Sequence, residues 1–274
     1  MSHFEKYRGR LAPSPTGYLH LGHAKTFWTA QQRAKKNGGE LILRNDDLDS
    51  TRCKPEFISA MLDDLRWFGF EWSEGPDIGG EFAPYNQSER MNFYRAALQK
   101  LRAGNFIYPC TCSRKDIQAA IAAPHAEDDE PIYSGKCRAN KESDVVGKQF
   151  SWRFRVPDGE TISFHDENFG EQKFVAGRNF GDFIVWRHDG VPAYQLACVV
   201  DDSAMQITEV VRGADLLAST ARQILIYRAL KLPPPRFFHC ELLLDDHGQR
   251  LAKRHDALSL RKLRAQGKTP ESLR

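Results

Sequence analysis

A chain of 274 residues is long enough for one large domain or two ordinary ones, and it can bury a sizeable core without covalent staples. Its 41% hydrophobic and 27% charged residues, with 20 Gly and 14 Pro, are a soluble globular composition that excludes collagen, a largely disordered chain and a membrane bundle. Lys+Arg 39 against Asp+Glu 36 leaves a formal charge of +3, too small a surplus to argue for a nucleic-acid partner by itself.

No run of about 18 apolar residues occurs, so nothing is expected to span a bilayer. The opening MSHFEKYRGRLAPSPTG lacks the apolar core of a signal peptide. Of 6 cysteines, Cys110, Cys112 and Cys137 cluster, while Cys53, Cys198 and Cys240 are scattered. That is not the disulfide framework of a small secreted chain, and a reducing cytoplasm is expected.

In chain order, Arg8–Ala12 reads as a short strand, punctuated by Pro13, Pro15 and Gly17. Gly22–Lys36 turns helical and stops at Asn37, Gly38 and Gly39. Glu40–Arg44 suits a buried parallel strand. A second helix follows Pro55, with Phe57, Ile58, Met61, Leu62, Leu65 and Phe68 on one face. A third runs from about Glu89 to Arg102. Strands alternating with helices argue for a doubly wound α/β sheet. Residues 106–180, with the cysteine cluster, an acidic tract at Glu127–Glu130 and the strand-like FSWRFRVP, read as an insertion. Then VPAYQLACVVDD and ITEVVRG read as strands, Ser219–Leu230 as a helix capped by Ser219 or Thr220, and Phe237–Leu244 as a strand. The expected organisation is a first catalytic half over 1–105, the insertion over 106–180, a second catalytic half over 181–240, and a basic loop with its short tail over 241–274.

Two loops carry candidate chemistry. The first, PSPTGYLHLGH at 13–23, lies between the first strand and the first helix, where ligands of such sheets bind. A helix N-terminus there offers free N–H groups to phosphate, Gly22 lets a flat ring come close, and His20 and His23 can donate to phosphate oxygens. The second, Arg250-Leu251-Ala252-Lys253-Arg254-His255, sets three cations within five residues, suited to closing over a polyphosphate. Taken alone, each is an ordinary short pattern that also fits surface histidines and a solvated charge run.

Together, in this order, the loops resemble the paired signatures of class I aminoacyl-tRNA synthetases. His20-Leu21-Gly22-His23 is similar to their HIGH motif, and Leu251-Ala252-Lys253-Arg254 to the glutamyl variant (LSKR) of KMSKS. RLAPSPTGYLHLGHAKT, LRNDDLD and EVVRGADLL extend the resemblance to the glutamyl/glutaminyl branch, with APSPTG on the glutamyl side. Only a short tail follows the second loop, so no anticodon-binding domain is expected, and the pattern is similar to the glutamyl-queuosine tRNA(Asp) synthetases. The expected fold is thus a Rossmann-like catalytic domain with a zinc-bearing insertion.

The resemblance carries specific implications. Glutamate is activated by ATP with Mg²⁺ and placed on the queuosine base in the anticodon of tRNA(Asp), by a monomer. His20, His23 and Lys253 are the implied catalytic residues, and with Gly22 they hold ATP. Arg10, Arg212 and Tyr194 take the side-chain carboxylate of glutamate, for which a guanidinium fork is well suited. Ser14 is a further substrate contact. Asp46 falls where glutamyl enzymes usually carry Glu to hold the amino group, so the carboxylate is one methylene shorter. Ala252 replaces the Ser of LSKR, and Arg250 keeps the first charge of KMSKS.

Three thiolates suit Zn²⁺, which in a structural site takes four ligands. The resemblance implies Tyr133 as the fourth, with His125 a rival in the same loop, and a structural zinc that folds the nucleic-acid-receiving insertion. The alternative enzyme reading is a catalytic fragment of an ordinary glutamyl-tRNA synthetase charging the tRNA 3′ end. A non-catalytic paralogue that binds amino acid or tRNA is the alternative of a different class.

Overall fold

A computed structural model describes residues 6–113, 116, 132–243 and 258–274. β1 (Arg8–Leu11) is buried along its whole length and pairs in parallel with β2 (Glu40–Leu43). Between them runs α1 (Leu21–Lys36), the crossover that a parallel pair requires. It ends where Asn37 caps it and Gly38 takes a positive φ of 59°. α2 (Pro55–Phe68) starts with Pro at its first position, where no N–H is needed, and ends at Gly69 in the left-handed conformation. It buries Met61, Leu65 and Phe68 against β1, β2 and α1. α3 (Met91–Ala103) follows.

The strands of the expected insertion, with the strand Phe183–Trp186 just beyond its expected end at 180, go two ways. β3 (Ile107–Cys110), β4 (Ser151–Phe154) and β7 (Phe183–Trp186) form an antiparallel sheet. β5 (Thr161–Asp166) and β6 (Gly170–Val175) form a hairpin that joins a second parallel pair, β8 (Glu209–Gly213) and β9 (Arg236–Cys240), in the order β6-β5-β9-β8. β5 meets β9 through one parallel residue pair, Asp166 with Phe237. β8 lies beside β1: Thr208 N–H donates to the Arg8 carbonyl (2.9 Å), and Arg10 Nη1 donates to the Val211 carbonyl (3.1 Å). Two parallel pairs, β1–β2 and β8–β9, thus lie side by side, with β1 next to β8.

Between β7 and β8 stands α4 (Tyr194–Ala204). This corrects the sequence expectation, which reads VPAYQLACVVDD as a strand. Leu196 through Asp202 are all buried, so the segment shows no polar face and its period is hidden. α5 (Leu217–Leu230) starts before Ser219 and Thr220, so neither caps it. Thr220 is instead turned inward, with its hydroxyl 3.3 Å from the Leu216 carbonyl. β9 ends at Cys240, shorter than the expected Phe237–Leu244. α6 (Leu260–Ala265) is capped by Ser259, and α7 (Pro270–Leu273) by Thr269. Ser259 bridges to His20, and Leu260 N–H donates to the Leu19 carbonyl (2.8 Å), so the segment after the basic loop is pinned to the turn before α1. Among the described residues, no helix is long and apolar enough to cross a membrane.

Candidate active site

The carboxyl ends of β1 and β8 and the N-terminus of α1 open onto one cleft of about 980 Å³. Arg10, Ser14, His20, Gly22, His23, Asp46, Tyr194 and Arg212 all line it. The structure thus gathers every candidate substrate residue except Lys253, which with Arg250, Ala252 and His125 lies outside the described residues.

His20 is the N-cap of α1, and the two histidines cap it reciprocally. Gly22 N–H donates to His20 Nδ1 (3.1 Å), and His20 N–H to His23 Nδ1 (3.4 Å). Both rings therefore accept at Nδ1 and carry their proton on Nε2. Burial pushes both imidazoles down, and for His23 the neighbouring His20 adds to it. At neutral pH the pair offers two uncharged N–H donors beside a helix N-terminus, a setting suited to phosphate.

Arg10 is buried, and its Nε donates to Asp202 Oδ1 (3.2 Å). The same oxygen accepts from Nη1 of Arg44 (2.6 Å), a fully buried cation that also grips both oxygens of Asp46 (2.6 and 3.3 Å). A charge out of water must be paired, and this chain of arginines and aspartates meets that demand. Burial raises the Asp46 carboxyl to about 6, with Arg44 opposing and Asp201 and Asp202 adding to the rise.

Arg212, also buried, donates from Nη2 to Thr220 Oγ1 (2.5 Å). Its Nη1 is buried and has no hydrogen-bond partner among the described residues. An orphaned guanidinium donor on the wall of a cleft is suited to an anionic acceptor. Tyr194, 42% exposed in the first turn of α4, faces the same space. Sequence reasoning missed Arg44 and Asp202. The signal was charge inside apolar runs (LILR, VVDD), which demands a partner but does not say which one.

The cysteine cluster is a separate centre. The three Sγ atoms of Cys110, Cys112 and Cys137 lie within 4.8 Å of one another, with Cys112 and Cys137 at 3.5 Å. Tyr133 Oη stands 3.4 Å from Cys110 Sγ and 3.5 Å from Cys112 Sγ, and accepts the Cys137 N–H (2.9 Å). Tetrahedral Zn²⁺, with bonds of roughly 2.3 Å to sulfur and 2.0 Å to oxygen, wants its donors about 3.5–3.8 Å apart. The soft S₃O set and its spacing fit that ion. Arg153 donates to Cys110 Sγ (3.2 Å), and its guanidinium carbon lies 4.0 Å over the Tyr133 ring, a cation beside an electron-rich cluster.

Residues 6–274 match the family of class I tRNA synthetases (E and Q), catalytic domain. The chain is 49% identical over 271 residues to a glutamyl-Q tRNA(Asp) synthetase of Symbiobacterium thermophilum, covering 97% of this chain and 83% of that one. It is 41% identical to a glutamate–tRNA ligase of Syntrophus aciditrophicus, of which it spans 56%. Among solved structures it is similar to a glutamate tRNA ligase from Elizabethkingia meningosepticum in complex with its amino acid, with a TM-score of 0.81 at 31% identity, covering 91% of this chain and 52% of that one. A parallel sheet opening on paired histidines and buried arginines thus agrees with the sequence matches, and the chain belongs to the class I tRNA synthetases of the glutamate and glutamine type.

Proposed function

We propose that the chain activates glutamate with ATP and transfers the glutamyl group to the queuosine base of tRNA(Asp). One observation carries the choice of amino acid: Arg10 and Arg212 are buried on adjacent strands of a single cleft, and Arg212 holds an unpartnered donor there. The acceptor rests on the relative 49% identical over most of its length, whose name states that reaction.

The chemistry follows from the groups present. The side-chain carboxylate of glutamate takes the guanidinium donors and the Tyr194 hydroxyl, and its ammonium takes Asp46. The α-carboxylate then attacks the α-phosphorus of ATP and pyrophosphate leaves. Negative charge grows on phosphate oxygens, where the Nε2–H groups of His20 and His23, the α1 N-terminus, Lys253 and the Mg²⁺ of the nucleotide offset it. A Cβ at position 22 would meet the His20 ring at 3.0–3.1 Å, so glycine there leaves that ring its place beside the α1 N-terminus. In the second step a ring hydroxyl of queuosine attacks the mixed anhydride and AMP departs. Positioning and electrostatics suffice, and no side-chain nucleophile is required. Cys110, Cys112, Cys137 and Tyr133 would hold a Zn²⁺ ion, which would cross-link the insertion rather than take part in the reaction.

Incubation with ATP, radiolabelled glutamate and tRNA(Asp), with or without queuosine, tests this. Label is expected only where the modified base is present. Label on the terminal adenosine of tRNA(Glu) would select the 3′-charging reading instead.

Asp46 makes the first step pH-dependent. Its carboxyl titrates at about 6, above the ordinary carboxylate value, so it is ionised above that pH and neutral below it. The substrate ammonium keeps its charge throughout. The KM for glutamate is therefore expected to climb as pH falls below 6, approaching about tenfold per unit as the ionised fraction falls. Asp46→Asn should raise the KM at pH 7.5 and lose the pH dependence between pH 5 and pH 7; a retained slope in that variant would assign it to another group.

A further inference from the structure

Behind Arg212 lies a buried relay that the reaction above does not use. Arg212 Nε is 3.1 Å from Nε2 of His239, and Nδ1 of the same ring is 2.6 Å from Asp166 Oδ2. His239 and Asp166 are both 0% exposed. The roles within the relay follow from the chemistry of its members. A guanidinium has only donors, so Nε2 must accept, and the ring proton must sit on Nδ1, aimed at the carboxylate. Asp166 is fixed in turn by N–H groups of its own, from Asn168 (3.1 Å), Phe169 (2.9 Å) and His239 (3.1 Å). Burial and the facing Arg212 hold the imidazole down at about 4, against the pull of Asp166 and Asp215, so the ring is neutral at working pH.

The contrast with Arg10 gives the relay its meaning. Arg10 is backed directly by a carboxylate, Asp202, which shares its charge with Arg44. Arg212 is backed by an uncharged ring, with the acid on the far side of the imidazole. A carboxylate in the place of His239 would orient the guanidinium equally well but would neutralise it. A neutral acceptor fixes the plane of the fork and leaves its charge for what enters the cleft. With Nε held by His239 and Nη2 by Thr220, Nη1 is the donor left over.

We propose that His239 is a positioning residue for amino-acid recognition: held in one tautomer by Asp166, it aims Arg212 at the substrate carboxylate without quenching its charge. This rests on the glutamate reading of the cleft, and the test separates the two. Glutamate-dependent ATP–pyrophosphate exchange is measured on the whole chain against both substrates. His239→Leu, which keeps bulk and removes the acceptor, is expected to raise the KM for glutamate about tenfold or more, with the KM for ATP and kcat within about threefold. His239→Gln, which can restore an acceptor, should recover most of that loss. A purely structural role would lower kcat and thermal stability with both KM values unmoved. ¹⁵N NMR of the unaltered protein gives a readout that does not depend on a variant folding: His239 should be the Nδ1–H tautomer from pH 5 to pH 8. An Nε2–H ring, or a His239→Leu enzyme whose KM for glutamate stays within about twofold, overturns the proposal alone. A wild-type protein with no glutamate-dependent exchange overturns the parent reading and this one with it.

Discussion

Arg212→Ala is expected to raise the KM for glutamate by at least about a hundredfold, from the roughly 3 kcal/mol or more that a desolvated charged pair loses when one partner is truncated. Two things are lost at once. The substrate carboxylate loses the Nη1 donor, and His239 Nε2 and Thr220 Oγ1 lose the guanidinium they share. Arg212→Lys separates these effects. An ammonium keeps the charge but cannot donate simultaneously to the ring, the hydroxyl and the ligand in one plane, so this variant should fall between wild type and Arg212→Ala. The sharper readout is discrimination. Glutamine differs from glutamate by the charge that Arg212 and Arg10 oppose, so the preference for glutamate over glutamine should shrink far more than kcat. Initial rates of pyrophosphate exchange with each amino acid measure it. A KM for glutamate left within about threefold in Arg212→Ala would remove the guanidinium from the amino-acid site.

The second large effect concerns the cysteine centre. Purified protein should hold one Zn²⁺ per chain by elemental analysis, and Cys137→Ser should lower metal affinity by about a hundredfold or more in competition with a chromophoric chelator, since loss of one ligand breaks the closed set. Burial opposes ionisation of the Cys137 thiol, but the Tyr133 hydroxyl, the Thr111 backbone and the two other thiols bring it down to about 7. Tyr133→Phe tests the fourth ligand. It removes only the oxygen 3.4–3.5 Å from two sulfurs and should weaken binding by about tenfold. His125→Ala should leave affinity unchanged, and the reverse ranking would transfer the role to His125. Glutamate activation is expected to survive in Cys137→Ser within about threefold, while transfer to tRNA falls steeply, because the cluster lies apart from the cleft.

The parts of the fold that announce themselves locally were legible in the sequence. Pro55 opens α2, Gly38 ends α1, and the apolar ELIL of β2 needs a buried parallel place. The candidate residues came from contiguous motifs, and Arg10, Ser14, His20, His23, Asp46, Tyr194 and Arg212 line one cleft. The hidden part depends on distant partners. Asp202 lies 192 positions from the Arg10 it holds, on a helix buried so completely that its periodicity reads as a strand. His239, in the apolar string FFHC, looks like a core histidine until the sheet brings Asp166 to it across 73 positions. A buried charge says that a counter-charge exists; only the tertiary fold says where.

The single parallel contact between β5 and β9 carries a consequence for anyone who would recombine these enzymes. Asp166 belongs to the hairpin of the intervening segment, yet its carboxylate ends behind Arg212 in the wall of the cleft. Swapping that segment wholesale for a homologue's would also exchange the carboxylate that holds His239 behind Arg212. Chimaeras cut so as to spare the strand ending in Asp166 should keep their fidelity, whereas those cut across it should need compensating changes at position 239.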